Sequence, residues 1–230
     1  MLIIWRKVCM KVLALETANE QCSVSLIDEH QELFYQLDCR AKAQTQTILP
    51  MIEQALLTTQ TSLEDLTAIA FSRGPGSFSG VRINAAVTQA LAWANDLPVI
   101  PVSTLQALAQ AAYREFQYPQ VTAVLDARMQ EVYLANYVLD STGIMQLQGE
   151  ECLLNYSHAK EAAQFTLIGS GAHLLDETIN LQETLHPNAR HIAELARHYA
   201  LDQQWVSAEH ALPVYLRDNA WKKISEQGKA

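Results

Sequence analysis

Two acidic residues stand at matching positions in this sequence. Glu16 ends the apolar segment VLALE and Asp126 ends the segment TAVLD, about half the chain later. Each segment is followed by a short polar turn and by an alternating segment typical of a strand. Paired acids that face a shared cleft often hold a hydrated cation beside phosphates. Two solvated acids at strand ends are the alternative, and the residues leave both interpretations open.

A glycine-rich loop, RGPGSFSG at residues 73–80, lies between a predicted strand and a predicted helix. Backbone N–H groups at such a helix start can hold an anion, although the loop matches neither the Walker nor the dinucleotide fingerprint. A tight turn that lets the helix pack closely is the alternative. A second glycine turn, GSGAH at residues 169–173, fits a site near a nucleotide base. The candidate nucleotide or anion cleft comprises Glu16, Thr17, Gly74, Gly76, Ser77, Asp126, Gly169 and Gly171.

The histidines and cysteines show no pattern of a metal site or of a catalytic nucleophile. None of the seven histidines forms the i, i+4 pair of a helical zinc site, and the four cysteines lack C-x-x-C spacing. No Ser or Cys lies in a nucleophile elbow. We therefore assign no catalytic residue and no metal ligand. We expect no required cofactor, and at most weak binding of an adenine nucleotide in the cleft.

The elements that position these residues follow an α/β order. Apolar patterns predict a strand, a hairpin partner and a third strand, and then helices near residues 47–58, 81–95 and 104–116 that alternate with strands. Pro50 places the first helix start near Thr47 or marks a kink, and Ser103 is the predicted N-cap of the third helix. The strand, turn and strand pattern restarts at residue 121. This repeat predicts a duplicated architecture.

The repeat divides the chain into predicted units. Residues 10–104 form the N-terminal half and residues 105–217 form the C-terminal half. Residues 1–9 are interpreted as an upstream extension, with Met10 as the natural start, or alternatively as a lengthening of the first strand. Residues 218–230 are predicted to be a loose tail.

The region 43–113 is poor in charge, with only Glu53, Glu64, Asp65, Arg73, Arg82 and Asp96. A helix with a solvent face normally carries a charged stripe, whereas depletion of charge marks the centre of a protein interface. Two core helices covered by the same chain are the alternative. The predicted partner-binding residues are Ile48, Met51, Ile52, Ala55, Arg82, Ala85, Ala86, Gln89, Ala90 and Trp93.

The composition fits a globular protein of one large or two small domains, with 230 residues, 49% apolar residues and a net charge of −9. Such a charge repels a phosphate backbone, which argues against binding nucleic acid alone. The sequence lacks a secretory signal, and its cysteines are typical of free thiols in a reducing compartment. These features predict a cytoplasmic protein with no membrane partner.

Four segments resemble the TsaB family, also called YeaZ: VLALETANEQCSVSL, FSRGPGSFSGVRINAAVTQALAWANDLPVIPVSTLQALAQ, AVLDARMQEVYLANY and PVYLRDNAWKK. They occur in family order between residues 10 and 223. The resemblance implies an actin-like ATPase fold of two RNase H-like halves around a cleft. It also implies a subunit of the bacterial machinery that makes threonylcarbamoyladenosine beside the anticodon of tRNA.

The resemblance implies that this subunit is not catalytic. The family is paralogous to TsaD, which transfers the threonylcarbamoyl group to N6 of the adenosine. TsaD holds a metal with a His-x-x-x-His pair in the segment GVNHLEGH. The matching segment here is PVSTLQAL, so Thr104 and Leu108 stand where the histidines would be. Neither side chain binds such a metal as an imidazole does.

The resemblance further implies the partners. The two charge-poor helices would pair with the same helices of TsaD, or with those of a second copy as a homodimer when the chain is alone. TsaE, a small ATPase, would join the pair, and tRNA would meet the chain only through this complex. The family often has His, Thr and Asp at three positions where this chain has Gln44, Ser79 and Glu16, respectively. Because the Glu16 side chain is longer than that of Asp, it argues against binding a cation beside a phosphate.

Two other functions remain open at this point. An ATP-dependent phosphotransferase of the sugar-kinase type would need a catalytic base in the cleft, for which Asp126 and Glu16 are the candidates. The second of these alternatives is a homodimer with a separate regulatory role.

Overall fold

The computed structural model describes residues 10–179 and 185–217. The predicted extension at 1–9 and the predicted tail at 218–230 lie outside the described residues. None of the helices within the described ranges is long and apolar enough to cross a membrane.

The first sheet has five strands in the order β3-β2-β1-β4-β5. The two hairpin pairs, β1 with β2 and β2 with β3, are antiparallel, whereas β4 runs parallel to both β1 and β5. A parallel centre requires helices on both faces, which explains why the central strands are buried on both sides. The strands are β1 (Lys11–Glu16), β2 (Cys22–Asp28), β3 (Glu32–Asp38), β4 (Ala68–Ser72) and β5 (Val99–Val102).

The second sheet repeats most of the first. Its order is β8-β7-β6-β9, with antiparallel β6–β7 and β7–β8 pairs and a parallel β6–β9 pair. The strands are β6 (Gln120–Asp126), β7 (Glu131–Leu139), β8 (Met145–Asn155) and β9 (Thr166–Ile168). Glu16 and Asp126 end the equivalent strands β1 and β6. The two sheets share this strand order, so the predicted α/β architecture of two similar halves is confirmed, and the actin-like ATPase fold stays what the family resemblance implies.

The helices mostly lie where the sequence pattern predicts them. They are α1 (Gln44–Thr58), α2 (Phe78–Ala94), α3 (Thr104–Phe116), α4 (Tyr156–Ala162), α5 (Ala172–Leu175) and α6 (Ala189–Leu201). Short 3-10 helices cover Leu63–Asp65 and Ala208–His210. The Ser103 cap is confirmed, because its hydroxyl accepts the N–H groups of Leu105 and Gln106.

The predicted start of the first helix near Thr47 is wrong. The helix begins at Gln44, whose side-chain amide donates to the Asn19 carbonyl at 3.0 Å and ties the first turn to the β1–β2 turn. Pro50 therefore lies inside the helix, where its missing N–H leaves the Gln46 carbonyl without a helical donor. Both Gln46 and Pro50 are exposed, so solvent can satisfy that carbonyl.

Helices cover the first sheet on both faces. Leu13 and Leu15 of β1 point towards α1 and α2, whereas Val12 and Ala14 point towards α6, as the two-residue period of a strand requires. Helix α3 packs against the second sheet through Leu105 and its neighbours. The division of the chain into residues 10–104 and 105–217 stays a prediction. Helix α6 belongs to the second of these segments, yet it contributes to the core of the first sheet.

Candidate functional site

The Glu16 side chain turns back onto its own strand end. It is fully buried, and its Oε1 accepts the N–H of Ala18. Burial raises the pKa of this carboxyl from 4.5 to about 7, although hydrogen bonds from Ser72, Ala18 and Asn19 oppose the shift. A carboxyl without solvent contact has no room for a hydrated cation. The prediction that Glu16 faces an open cleft with Asp126 therefore needs correction.

Asp126 holds the equivalent position in the second sheet but closes its own turn. Its Oδ1 accepts the N–H of Arg128 at 2.7 Å, and its Oδ2 lies 2.9 Å from the Arg128 guanidinium. The structure therefore places the two acids at matching strand ends, and a site shared by both stays a prediction.

The glycine-rich loop packs directly on the β1–β2 turn. A Cβ at Gly76 would lie 2.4 Å from the Ala18 carbonyl oxygen, and one at Gly80 would lie 2.0 Å from that of Thr17. The N–H of Ser77 donates to Ala18 at 2.7 Å, and the Thr17 hydroxyl donates to the Gly80 carbonyl at 2.7 Å. Close packing thus accounts for the glycines, and the chain itself occupies donors that an anion would need.

The other glycines of the candidate cleft also have packing roles. Gly74 and Gly169 adopt positive φ angles of 99° and 96°, a region that favours glycine. A Cβ at Gly169 would lie 2.5 Å from the Val124 carbonyl oxygen, and one at Gly171 would lie 2.9 Å from the Leu125 carbonyl carbon. The second glycine turn is therefore pressed against β6, and nucleotide binding there stays a prediction.

The positions that match the TsaD metal ligands lie inside the protein. Thr104 opens α3, and Leu108 is fully buried in the core of the second sheet, beside Gly169. Among the residues that the structure describes, no group of three His, Cys, Asp or Glu side chains is placed to hold a metal ion. The described cysteines, Cys22, Cys39 and Cys152, are free thiols.

Half of the predicted partner-binding residues lie in the chain's own core, which corrects the prediction for them. Helices α1 and α2 must cover the apolar face of the first sheet, so one side of each helix is used internally. Arg82 and Gln89 are half-buried, and Ala86, Ala90 and Trp93 are exposed. The core residues are Ile48, Met51, Ile52, Ala55 and Ala85.

Large apolar side chains lie on the outer sides of the same helices, and the sequence reasoning named only Trp93 among them. Leu49 and Leu57 of α1, which it missed, are 54% and 72% exposed; on α2 the missed Phe78 is 64% exposed and Trp93 is 70% exposed. The signal was present in the sequence, since α1 is apolar on adjacent positions such as 48 and 49 and so cannot bury all of them.

We define the outer face as Leu49, Leu57, Phe78, Arg82, Ala86, Ala90 and Trp93. Phe78, Arg82, Ala86 and Ala90 follow one another at four-residue spacing and so form one stripe along α2. Helices α1 and α2 also contact each other. Glu53 and Arg82 are the charged residues of these two helices. An exposed apolar surface with few charges is typical of a binding site for another protein.

Comparison with known proteins relates this architecture to one family. Residues 39–226 match the family model described as "TsaD: tRNA N6-adenosine threonylcarbamoyltransferase". The Escherichia coli tRNA threonylcarbamoyladenosine biosynthesis protein TsaB is 39% identical, with 94% of this chain and 98% of that protein covered. The Haemophilus influenzae protein of the same name is 35% identical, with 94% and 97% covered.

Solved structures indicate the same family as the sequence relatives do. A Pseudomonas aeruginosa protein described as similar to peptidase YEAZ superposes with a TM-score of 0.83 at 38% identity, covering 90% of this chain and all of that one. The structure named YeaZ from the same organism superposes with a TM-score of 0.80 at 37% identity and has the same coverage. Since relatives well above 30% identity match it over nearly its whole length, the chain belongs to the TsaB family, also called YeaZ.

Proposed function

We propose that the chain is a non-catalytic subunit required for the synthesis of threonylcarbamoyladenosine in tRNA. In this proposal it binds a TsaD-type catalytic subunit through the outer face of α1 and α2. A TsaE-type ATPase joins the pair, and tRNA reaches the chain only through the complex. The chain alone forms a homodimer through the same face, and it works in the cytoplasm.

The observation that carries the proposal is the exposed apolar outer face. Four large apolar side chains on two adjacent helices are more than half exposed, and the helices carry one acid and one base. Covering such a surface releases free energy of roughly 25 cal/mol per Å² of apolar area. A partner with a similar helix pair is the natural complement, because the related TsaD family shares sequence with this chain.

The interior of the chain supports an accessory role. Leu108 fills a position where TsaD has a metal-binding histidine, and the Glu16 carboxyl is buried against its own turn. The loop that would hold a phosphate is packed on Thr17 and Ala18. The proposed function therefore assigns catalysis to the partner.

A charge in the middle of the outer face tests the proposal. Ala86→Arg and Ala90→Asp each place an unpaired charge where the partner would bury it, so we expect at least ~100-fold weaker binding to the TsaD-type subunit. Both positions are exposed, so the variants should fold normally. Binding is measured by calorimetry with purified subunits. Glu161→Arg, on the exposed side of α4, is the matched control and should bind as the unmodified chain does.

The same variants are then placed in a reconstituted tRNA modification assay with the TsaD-type and TsaE-type subunits and the adenylate-forming enzyme. We expect modification to need this chain and to fail with Ala86→Arg. Equal modification with and without the chain would refute the proposal. ATP turnover by the chain alone, lost in Asp126→Asn, would instead favour the phosphotransferase.

A further inference from the structure

Arg82 is the cation of the outer face, and no described carboxylate lies within ion-pair distance of it. Six of the eight described arginines have a carboxylate within ion-pair distance, whereas Arg82 on the outer face and Arg197 on α6 do not; the six are Arg40, Arg73, Arg114, Arg128, Arg190 and Arg217. Arg82 has no such partner among the described residues, although the chain has a net charge of −9. The protein is acidic, and Arg82 lies within an apolar face without a paired carboxylate. This arrangement needs a physical explanation.

The Arg82 guanidinium is held in a fixed position. Its Nη1 donates to the Phe78 carbonyl at 2.6 Å, and its central carbon lies 3.5 Å from the centre of the Phe78 ring. The ring of Tyr215 lies 4.9 Å from the same carbon. Aromatic rings shield the planar faces of a guanidinium from water but leave its edge free to donate in the plane.

Tyr215 is itself held in place by the segment 211–217. The Val214 N–H donates to the Arg73 carbonyl at 2.8 Å, which fixes the segment to the first sheet's loop. Arg217 forms an ion pair with Glu131 and donates to the Ala127 carbonyl at 3.2 Å, which fixes the segment to the second sheet's first turn. The Tyr215 ring is therefore set beside Arg82 by contacts with both sheets.

We propose that Arg82 is a preformed receptor for a carboxylate of the partner subunit. This inference rests on the proposed function, since it specifies the chemistry of the protein that covers the outer face. The docking surface of the TsaD-type subunit then carries an Asp or Glu opposite Arg82, among apolar side chains. A guanidinium fork binds a carboxylate in a bidentate manner, and such a pair fixes the register of two helices as well as adding affinity.

The need for this anion follows from the cost of burying the cation. A partner that covers Phe78 and Trp93 also covers Arg82, which would lose its remaining water. An unpaired charge buried in this way opposes association, whereas a carboxylate in the plane of the guanidinium compensates the loss. Arg82 thus selects an acidic partner surface against an entirely apolar one.

The test compares Arg82→Ala and Arg82→Lys with the unmodified chain for binding to the purified TsaD-type subunit. We expect roughly 10- to 100-fold weaker binding for Arg82→Ala, because truncation leaves the partner's carboxylate buried and unpaired. Arg82→Lys should recover only part of this loss, because an ammonium lacks the planar fork. Tyr215→Ala should weaken binding by a smaller factor. Thermal unfolding serves as the folding control for each variant.

The outcomes separate this inference from the proposed function. If Ala86→Arg abolishes binding while Arg82→Ala binds within about twofold of the unmodified chain, the carboxylate receptor is wrong and the docking face stands. If neither variant changes binding, both ideas fall. If Arg82→Ala weakens only self-association in sedimentation experiments, the carboxylate belongs to a second copy, which overturns the proposal.

Discussion

Glu16 and Asp126 hold equivalent places in two related sheets, yet their surroundings give them different chemistry. Asp126 is partly exposed and paired with Arg128, whereas Glu16 is fully buried and forms no ion pair with any residue that the structure describes. Desolvation therefore governs Glu16 and raises its pKa to about 7. The sequence could predict the matching positions but not this difference, because burial of a strand-end acid depends on the loop that folds over it.

The raised pKa of Glu16 predicts a pH dependence of stability. In the unfolded chain the carboxyl ionises near 4.5, and in the folded chain near 7, so the folded state keeps a proton that the unfolded state has lost. Its contribution to stability is therefore complete below about pH 4.5 and is lost as the pH rises to about 7. Glu16→Gln mimics the neutral carboxyl and should remove this loss.

We expect the free energy of unfolding of Glu16→Gln, relative to the unmodified chain, to rise by about 1–3 kcal/mol between pH 5 and pH 8. Urea denaturation at both pH values measures it. The opposite effect of buried His191, whose pKa is lowered to about 3, is common to both chains and cancels in the difference. Glu64→Gln, at an exposed site, is the control. An unchanged difference at the two pH values would contradict the assignment.

At the scale of elements, periodicity and capping predicted most of the helices and strands correctly. The bounds of α3 agree with the predicted helix at residues 104–116, because it has a clear apolar period and a Ser103 cap. The start of α1 could not be predicted in this way. It depends on the contact of Gln44 with Asn19, which lies 25 residues away in the chain.

The outer face shows the same limit. Low charge marked α1 and α2 as unusual, but it could not separate the side that covers the sheet from the side that faces outward. Ile48 is in the core and its neighbour Leu49 is exposed, although both are apolar. That distinction requires the orientation of the helix on the first sheet, which tertiary packing sets.

The glycine-rich loop supplies a prediction for the α2 start. Gly80 lies within α2, where replacing glycine with alanine normally stabilises a helix by about 0.5–1 kcal/mol. Here the added Cβ would lie 2.0 Å from the Thr17 carbonyl oxygen, so α2 would have to move away from β1. We expect Gly80→Ala to destabilise the protein by about 1–3 kcal/mol, as overpacking does.

Chemical denaturation of Gly80→Ala measures this effect, and Ser79→Ala, at the exposed neighbouring position, is the matched control with an expected change within about 0.5 kcal/mol. Because the ordinary helical effect has the opposite sign, a stabilised Gly80→Ala would show that α2 does not press on the β1–β2 turn.

At the scale of the whole molecule, several contacts join the two sheets. Glu151 of β8 accepts hydrogen bonds from Tyr137, at 3.0 Å, and from Ser103 at the start of α3, and its carboxylate lies 3.7 Å from Arg73. The segment 211–217 bridges the same two parts through Val214 and Arg217. The halves recognised by their repeated strand order are therefore tied together by side chains that the repeat does not reveal.

Helix α6 leads to a prediction about the independence of the first half. It lies beyond the second sheet in the chain, yet Ile192, Leu195 and Ala196 pack on Val12 and Ala14 of β1. A chain shortened to residues 10–116 would leave this face of the first sheet in water and lose the associated hydrophobic stabilisation. We expect such a fragment to show no cooperative unfolding and to bind a hydrophobic dye.

The near-UV circular dichroism and urea titration of the fragment test this expectation against the full chain. Leu195→Ala in the full chain provides a milder version, with an expected loss of about 2–5 kcal/mol for a buried leucine and a single unfolding transition, because α6 packs on the first sheet and on α3. A cooperative transition in the fragment would show instead that residues 10–116 fold as a unit without α6. The first sheet's core would then be complete on α1, α2 and α3 alone.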